Sequence, residues 1–288
     1  MTKTVRRGFL GAAAALALAA CSLTRVAYNN ADTVARFMAD SYLDLDDAQA
    51  DELSARIARL HQWHRANELP VYAALLRSAS RRAARGITAE DVAWGLANLR
   101  EHYRKLAEGV VEEAAPVLAT LAAPQLAALQ HKFAEENEKY AKKYLAADDE
   151  KRRGAQLDRA VGRIEDFTGS LTREQKALVS RFVVSHERHV VLRFEDRQRL
   201  QRDALVLLGE HRGARDLGER LADMFRRPEL RRSEEFLRED RRWDEDLARL
   251  IADLDRTLSM EQRARLVRRL EDYADDFAAL AGRKGEAT

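Results

Sequence analysis

The sequence predicts an all-α protein built as an elongated multi-helix bundle, and three observations carry that expectation. Apolar residues recur at intervals of three and four through most of the chain. Leu53, Ile57, Leu60 and His64 form one stripe, Leu247, Leu250, Ile251, Leu254 and Leu258 a second, and Leu266, Leu270, Tyr273, Phe277 and Leu280 a third. Each stripe must bury against another helix. Helix-forming Ala, Leu, Arg and Glu dominate, with only 4 prolines and 13 glycines in 288 residues. Valine and the aromatics do not fall into the period-two alternation of a strand.

Taken in order, the periodicity predicts helices over 30–42, 47–67, 71–85, 89–119, 125–146, 151–167, 173–210, 214–226, 229–256 and 260–281. The breaks fall at Pro70, Arg85-Gly86, Pro124, Ala147-Asp148-Asp149, Gly169-Ser170, Gly213, Pro228 and Ser259, where proline, glycine or a capping side chain interrupts the pattern. Pro116 is expected to end or bend its helix, because it lacks a backbone donor. The stretch from Arg231 to Asp246 is dense in charge. Glu234 with Arg238, and Arg241 with Glu245, have the spacing of helical ion pairs. It reads first as a solvated helix face, and second as a docking surface anchored by Phe236 and Trp243.

One helix-start signature recurs. Leu45-Asp46-Asp47-Ala48-Gln49, Leu121-Ala122-Ala123-Pro124-Gln125, Leu171-Thr172-Arg173-Glu174-Gln175 and Leu258-Ser259-Met260-Glu261-Gln262 share the form Leu-x-x-x-Gln, each with Leu or Val four residues on. Ile87-Thr88-Ala89-Glu90-Asp91 is a weaker fifth copy. The physics is that of a capping box: Asp46, Thr172 or Ser259 accepts from the first turn, and the glutamine three residues on reaches back to the cap N–H. Copies one and two lie 76 residues apart and copies three and four 87 apart. The expectation is two related helical halves, with repeat cores near 43–146 and 169–281 inside an N-terminal part 22–148 and a C-terminal part 149–288.

Residues 1–20 read as a lipoprotein signal peptide. Lys3, Arg6 and Arg7 precede an apolar run that ends in Leu18-Ala19-Ala20-Cys21, and Cys21 is the sole cysteine. A charged region, an apolar region and a small-residue cleavage site in that order mark an exported chain. The sequence thus predicts cleavage before Cys21 and acyl lipid, palmitate included, on the new terminus. The apolar run falls short of the ~20 residues that span a bilayer. Residue 22 is Ser rather than Asp, which by resemblance to sorted lipoproteins points to the outer membrane, periplasmic face. Arg6-Arg7-Gly8-Phe9-Leu10 also fits twin-arginine export, so the export route stays open.

Cleavage changes the charge. Of 50 basic and 48 acidic residues, loss of Lys3, Arg6 and Arg7 leaves 47 against 48, a formal charge of −1. A basic binder of nucleic acid or anionic lipid is therefore not indicated.

Tyr28-Asn29-Asn30, Tyr42-Leu43-Asp44-Leu45, Trp63-His64-Arg65 and Glu68-Leu69-Pro70-Val71-Tyr72 resemble an uncharacterised, domain-of-unknown-function family of proteobacterial lipoproteins. The resemblance covers the mature chain and is most specific from Cys21 to about Leu76. It implies an all-helical outer-membrane lipoprotein with no established activity. Leu171-Thr172-x-x-Gln175, and less fully Leu258-Ser259-x-x-Gln262, are similar to the much shorter LTxxQ-motif periplasmic chaperones and stress-response inhibitors.

Candidate chemistry is sparse. His61, His64 and Glu68 sit at i, i+3 and i+7 and share a helix face, a partial metal-ligand set. They also continue the Leu53–Ile57–Leu60 stripe, which favours half-buried, hydrogen-bonded histidines. His186 and His189, beside Phe182, Val190 and Phe194, read as histidines at the edge of a helix interface. No Gly-x-Ser-x-Gly, Walker loop, His-Glu-x-x-His or dinucleotide fingerprint is present. A cysteine whose sulfur carries lipid cannot be a nucleophile. The expectation is a lipid-anchored envelope protein that binds or scaffolds other envelope proteins, chaperone-like in one variant, with no cofactor beyond the lipid on Cys21. The competing expectation is an envelope hydrolase or metal-dependent enzyme with its site near His61, His64 and Glu68.

Overall fold

The computed structural model describes residues 24–145 and 148–282. The signal segment, Leu18, Ala19, Ala20 and Cys21 lie outside the described residues. All regular structure described is helical: residues 24–29 lead into α1 (Ala31–Leu43), followed by α2 (Asp47–Asn67), α3 (Leu69–Arg85), α4 (Ala89–Leu118), α5 (Ala123–Tyr144), α6 (Asp149–Thr168), α7 (Arg173–Ser185), α8 (Glu187–Glu210), α9 (Ala214–Arg226), a 3₁₀ turn (Pro228–Leu230), α10 (Glu234–Thr257) and α11 (Met260–Gly282). The chain is a multi-helix all-α bundle.

The differences from the sequence expectation are local. The predicted helix 173–210 breaks at His186, whose φ of −119° and ψ of 22° take it out of the helix; no proline or glycine marks the spot. The segment predicted over 229–256 opens with the 3₁₀ turn and becomes α-helical only at Glu234, behind the Ser233 cap. Helices α3 and α5 start earlier than expected because Pro70 and Pro124 fall in their first turns, where a missing N–H costs nothing. Pro116 sits inside α4, which ends two residues later at Leu118. Phe236 is buried rather than presented for docking, with Arg232 over its ring. Glu234 pairs with Arg238 at 3.7 Å, whereas Glu245 pairs with Arg249 at 3.5 Å instead of Arg241.

The caps form as the signature predicts. The Asp46 side chain accepts from Gln49 N and the Gln49 Oε1 accepts from Asp46 N; Thr172 with Gln175 and Ser259 with Gln262 repeat this. At the second copy Ala122 has no side-chain acceptor, and only the return bond from Ala122 N to Gln125 Oε1 (2.9 Å) remains. Thr88 and Asp91 close a fifth box.

These caps also meet in pairs. Gln49 Nε2 donates to the Thr120 carbonyl and hydroxyl, and Gln125 Nε2 donates to the Asp44 carbonyl and to Gln49 Oε1. In the C-terminal half, Gln175 Nε2 donates to the Thr257 carbonyl and hydroxyl, and Gln262 Nε2 to the Ser170 carbonyl and to Gln175 Oε1. In every case the loop acceptor lies two residues before the partner helix's cap residue. Each half is thus closed by the same reciprocal clasp.

Helix pairing repeats as well. Helix α1 packs on α2 and α5 as α6 packs on α7 and α11; α2 packs on α4 as α7 packs on α10. The halves then exchange their last helices: α5 packs on α8, and α11 packs on α3. The α3–α11 pair is the most extensive. Ala73, Ser80 and Ala83 on α3 and Ala274 on α11 are buried, Ser80 donates to Glu271 at 3.0 Å and the Ala83 carbonyl accepts from Arg263 at 2.7 Å, and such small side chains let the two backbones approach closely. One core cluster joins α4, α5, α8 and α9 through Val111, Leu129, Leu207, Leu208, Leu217 and Leu221, so it draws on both halves. Another lies between α6, α7 and α10 around Val179 and Leu254. Helix α9 has no counterpart between α3 and α4, which join through residues 86–88 alone. Gly86, at φ 104°, makes that short turn, and a Cβ there would meet Asp255.

Candidate functional site

The three residues singled out at the end of α2 are drawn to different partners. Glu68 caps α3 and is 3% exposed. Its Oε2 lies 2.6 Å from Nδ1 of His102 on α4. Tyr72, one turn on, packs edge-on against His102, His64 and Phe277. His64 Nδ1 instead shares a hydrogen bond of 2.9 Å with the Tyr28 hydroxyl, and the His61 ring lies 4.7 Å from that of Tyr28. Among the described residues no group of three His, Cys, Asp or Glu side chains is placed to hold a metal ion.

The electrostatics fit this pairing. Burial pushes the His61 and His64 pKa values down, with the Arg65 charge adding to the effect at His61, so both rings stay neutral. Burial raises the Tyr28 phenol to about 12 against the pull of Arg65, and burial with the Glu68 carboxylate raises Tyr72 to about 12. A neutral imidazole hydrogen-bonded to a neutral phenol is a joint, not an acid–base couple poised near neutral pH. The arrangement ties the first helical turn, α2, α3, α4 and α11 together.

The second half carries a counterpart. His186 sits at the α7–α8 junction as Glu68 does at the α2–α3 junction, and is 3% exposed. Its Nε2 lies 3.2 Å from Asp246 of α10, off hydrogen-bonding geometry, and its ring packs on Phe182. His189 Nε2 lies 3.2 Å from Asp240, with its ring stacked on Trp243. The bond to His189 is the main reason that the Asp240 carboxyl titrates below the usual range. Acid and base have exchanged sides between the halves: the carboxylate is on the junction in one and on the long helix in the other.

A concave surface with an apolar floor lies elsewhere. Helix α9, the element that breaks the repeat, packs on the C-terminal part of α4. Gly218 brings them close, since a Cβ there would lie 3.3 Å from that of Ala115. Beside this contact runs an open groove of about 370 Å³ with Val111, Ala115, Pro116 and Ala222 on its floor. Glu108, Glu112, Arg215, Glu219 and Arg226 form its rim, and Arg226 Nε donates to Glu108 at 3.1 Å across it. The helix over 214–226 was expected from the sequence. Its pairing with α4 was not, because that contact joins segments about a hundred residues apart.

Residues 41–238 match a family described as a family of unknown function, DUF6279. The chain belongs to that family. The DUF6279 match takes in α2 through α9 and the start of α10, and so includes the Glu68–His102 pair, His186, His189 and the α4–α9 groove. No curated protein and no solved structure matches the chain.

Proposed function

We propose that this DUF6279 protein is a lipid-anchored lipoprotein of the outer membrane, facing the periplasm, and that it binds or scaffolds envelope proteins through the α4–α9 groove. The observation that carries the binding reading is the groove itself: an apolar floor with a rim of both charges and no converging catalytic groups. A mixed-charge rim over an apolar floor suits a protein segment that is apolar on one side and charged at its edges. The anchoring reading rests on Leu18-Ala19-Ala20-Cys21. It is compatible with the lack of any described helix long and apolar enough to cross a membrane.

The binding test is a photo-cross-linking residue placed in intact cells at Arg215, on the rim, or at Met260, which is equally exposed but remote from the groove. A discrete adduct from position 215 that Glu112→Lys removes supports the reading. Equal adducts from both positions refute it. The anchor is tested separately by Cys21→Ala: a variant that is processed normally and stays with membranes refutes lipidation.

A further inference from the structure

The helical run 24–43 has an outward face unlike the rest of the molecule. Val26, Val34 and Met38 are each more than half exposed and Phe37 is 74% exposed. At 100° per residue they fall within one arc of about 120°. No residue of α1 is buried. Asp40 is the only charged residue among the exposed positions of the run, in a chain where 34% of residues are charged. The other charges turn inward or sideways: Arg25 pairs with Asp276 at 2.7 Å, and Arg36 with Asp32 at 3.2 Å. Exposed Asn30 and Ser41 share the arc, and a predominantly apolar, uncharged helix face of this kind marks a surface that meets something apolar.

We infer that this face rests on the bilayer, with Val26, Val34, Phe37 and Met38 at the boundary of headgroups and acyl chains. The inference rests on the proposed lipidation of Cys21. Residue 24 is three residues from that cysteine, so covalent geometry holds the helix start within about 10 Å of Cys21, the residue that would carry the acyl chains. The bilayer is then the nearest apolar phase, and a helix of about 30 Å lying in its surface shields the face. Amphipathic helices bind in this plane, and a second contact fixes an orientation that a flexible lipid tether does not.

The test uses the full chain, produced with its signal peptide and reconstituted into phosphatidylethanolamine–phosphatidylglycerol vesicles. Cys21 is the only native cysteine, so single substitutions Phe37→Cys and Arg215→Cys each carry one environment-sensitive fluorophore. The expected result is a blue shift, quenching by nitroxide-labelled lipid and loss of iodide quenching at position 37, with none of these at 215. Equal iodide quenching at both positions overturns the inference. So does shielding at position 37 that persists in detergent and depends on protein concentration, which assigns the face to a second copy. Mass analysis of the mature N-terminal peptide reads acylation independently. An unmodified Cys21 removes the anchoring proposal and this inference together, whereas an acylated Cys21 with an aqueous position 37 removes only the inference.

Discussion

Gln49 and Gln125, 76 positions apart, cap two different helices and bond to each other: Gln125 Nε2 donates to Gln49 Oε1 at 2.7 Å, and that same oxygen accepts from the Asp46 N–H. Gln175 and Gln262 repeat the relationship across 87 positions. One side chain thus satisfies a local helix start and a distant loop carbonyl at once.

The two clasps should differ in strength. Gln175 is 1% exposed, so water cannot replace its bonds, whereas Gln49 is half-exposed. Gln175→Ala should cost about 2–3 kcal/mol, and Gln49→Ala about 1 kcal/mol. Urea unfolding of each variant measures the difference. Equal losses would mean that burial does not set the value of the clasp.

The Glu68–His102 pair is buried on both sides. His102→Ala strands a carboxylate in the interior and should destabilise the fold by about 3–5 kcal/mol. The double variant Glu68→Leu/His102→Leu should recover most of that loss, because no unpaired charge remains. Thermal unfolding of the single and double variants decides it. A double variant as unstable as the single one would assign the loss to packing instead.

Stability should fall on mild acidification. Burial lowers the folded-state pKa values of His61, His64 and His186 below the ordinary histidine value of 6.5. The unfolded chain therefore binds protons that the folded chain does not. The sign follows: their contribution is fully present above about pH 7.5 and is lost as pH drops through 6.5 towards the lowered values. Denaturant midpoints between pH 8 and pH 5 measure this, and His64→Gln should flatten part of the slope.

At the alkaline end the sign reverses. Tyr28 and Tyr72 ionise near 12 when folded, against 10 when unfolded. Their contribution is present below pH 10 and is lost between 10 and 12. Absorbance at the phenolate band should show two tyrosines fewer titrating near pH 10 in the folded protein than in denaturant. Tyr28→Phe and Tyr72→Phe should each remove one late-titrating group.

Asp91 is the acid counterpart. Burial pushes its carboxyl up, but Arg82, Arg85 and the Thr88 N–H outweigh that and hold it at about 2. It adds stability above pH 3.8 that disappears as pH falls to 2. Asp91→Asn should therefore shift the midpoint of acid unfolding upward, as followed by circular dichroism.

Much of the fold was legible because it is written locally. The helix starts at Asp46, Thr172 and Ser259 depend on side chains three residues apart, and the apolar stripes on neighbours three and four apart. The break at His186 was not legible, since its Nε2 lies beside Asp246 of α10, a neighbour that only tertiary structure supplies. His61, His64 and Glu68 were marked by spacing, but spacing names a shared face and not a partner. Tyr28 and His102, which claim them, come from other helices.

The chain alone determines that it is helical, where the helices behind Asp46, Thr172 and Ser259 begin, that a signature recurs four times, and that its one cysteine follows an apolar run. Tertiary structure decides which copies of the signature clasp each other, that α5 and α11 are exchanged between the halves, and that α9 meets α4 to open a groove. The physical reason is range. Caps and stripes are settled within a turn or two of helix, whereas partner choice among many similar Leu- and Ala-rich faces depends on packing between segments far apart in sequence.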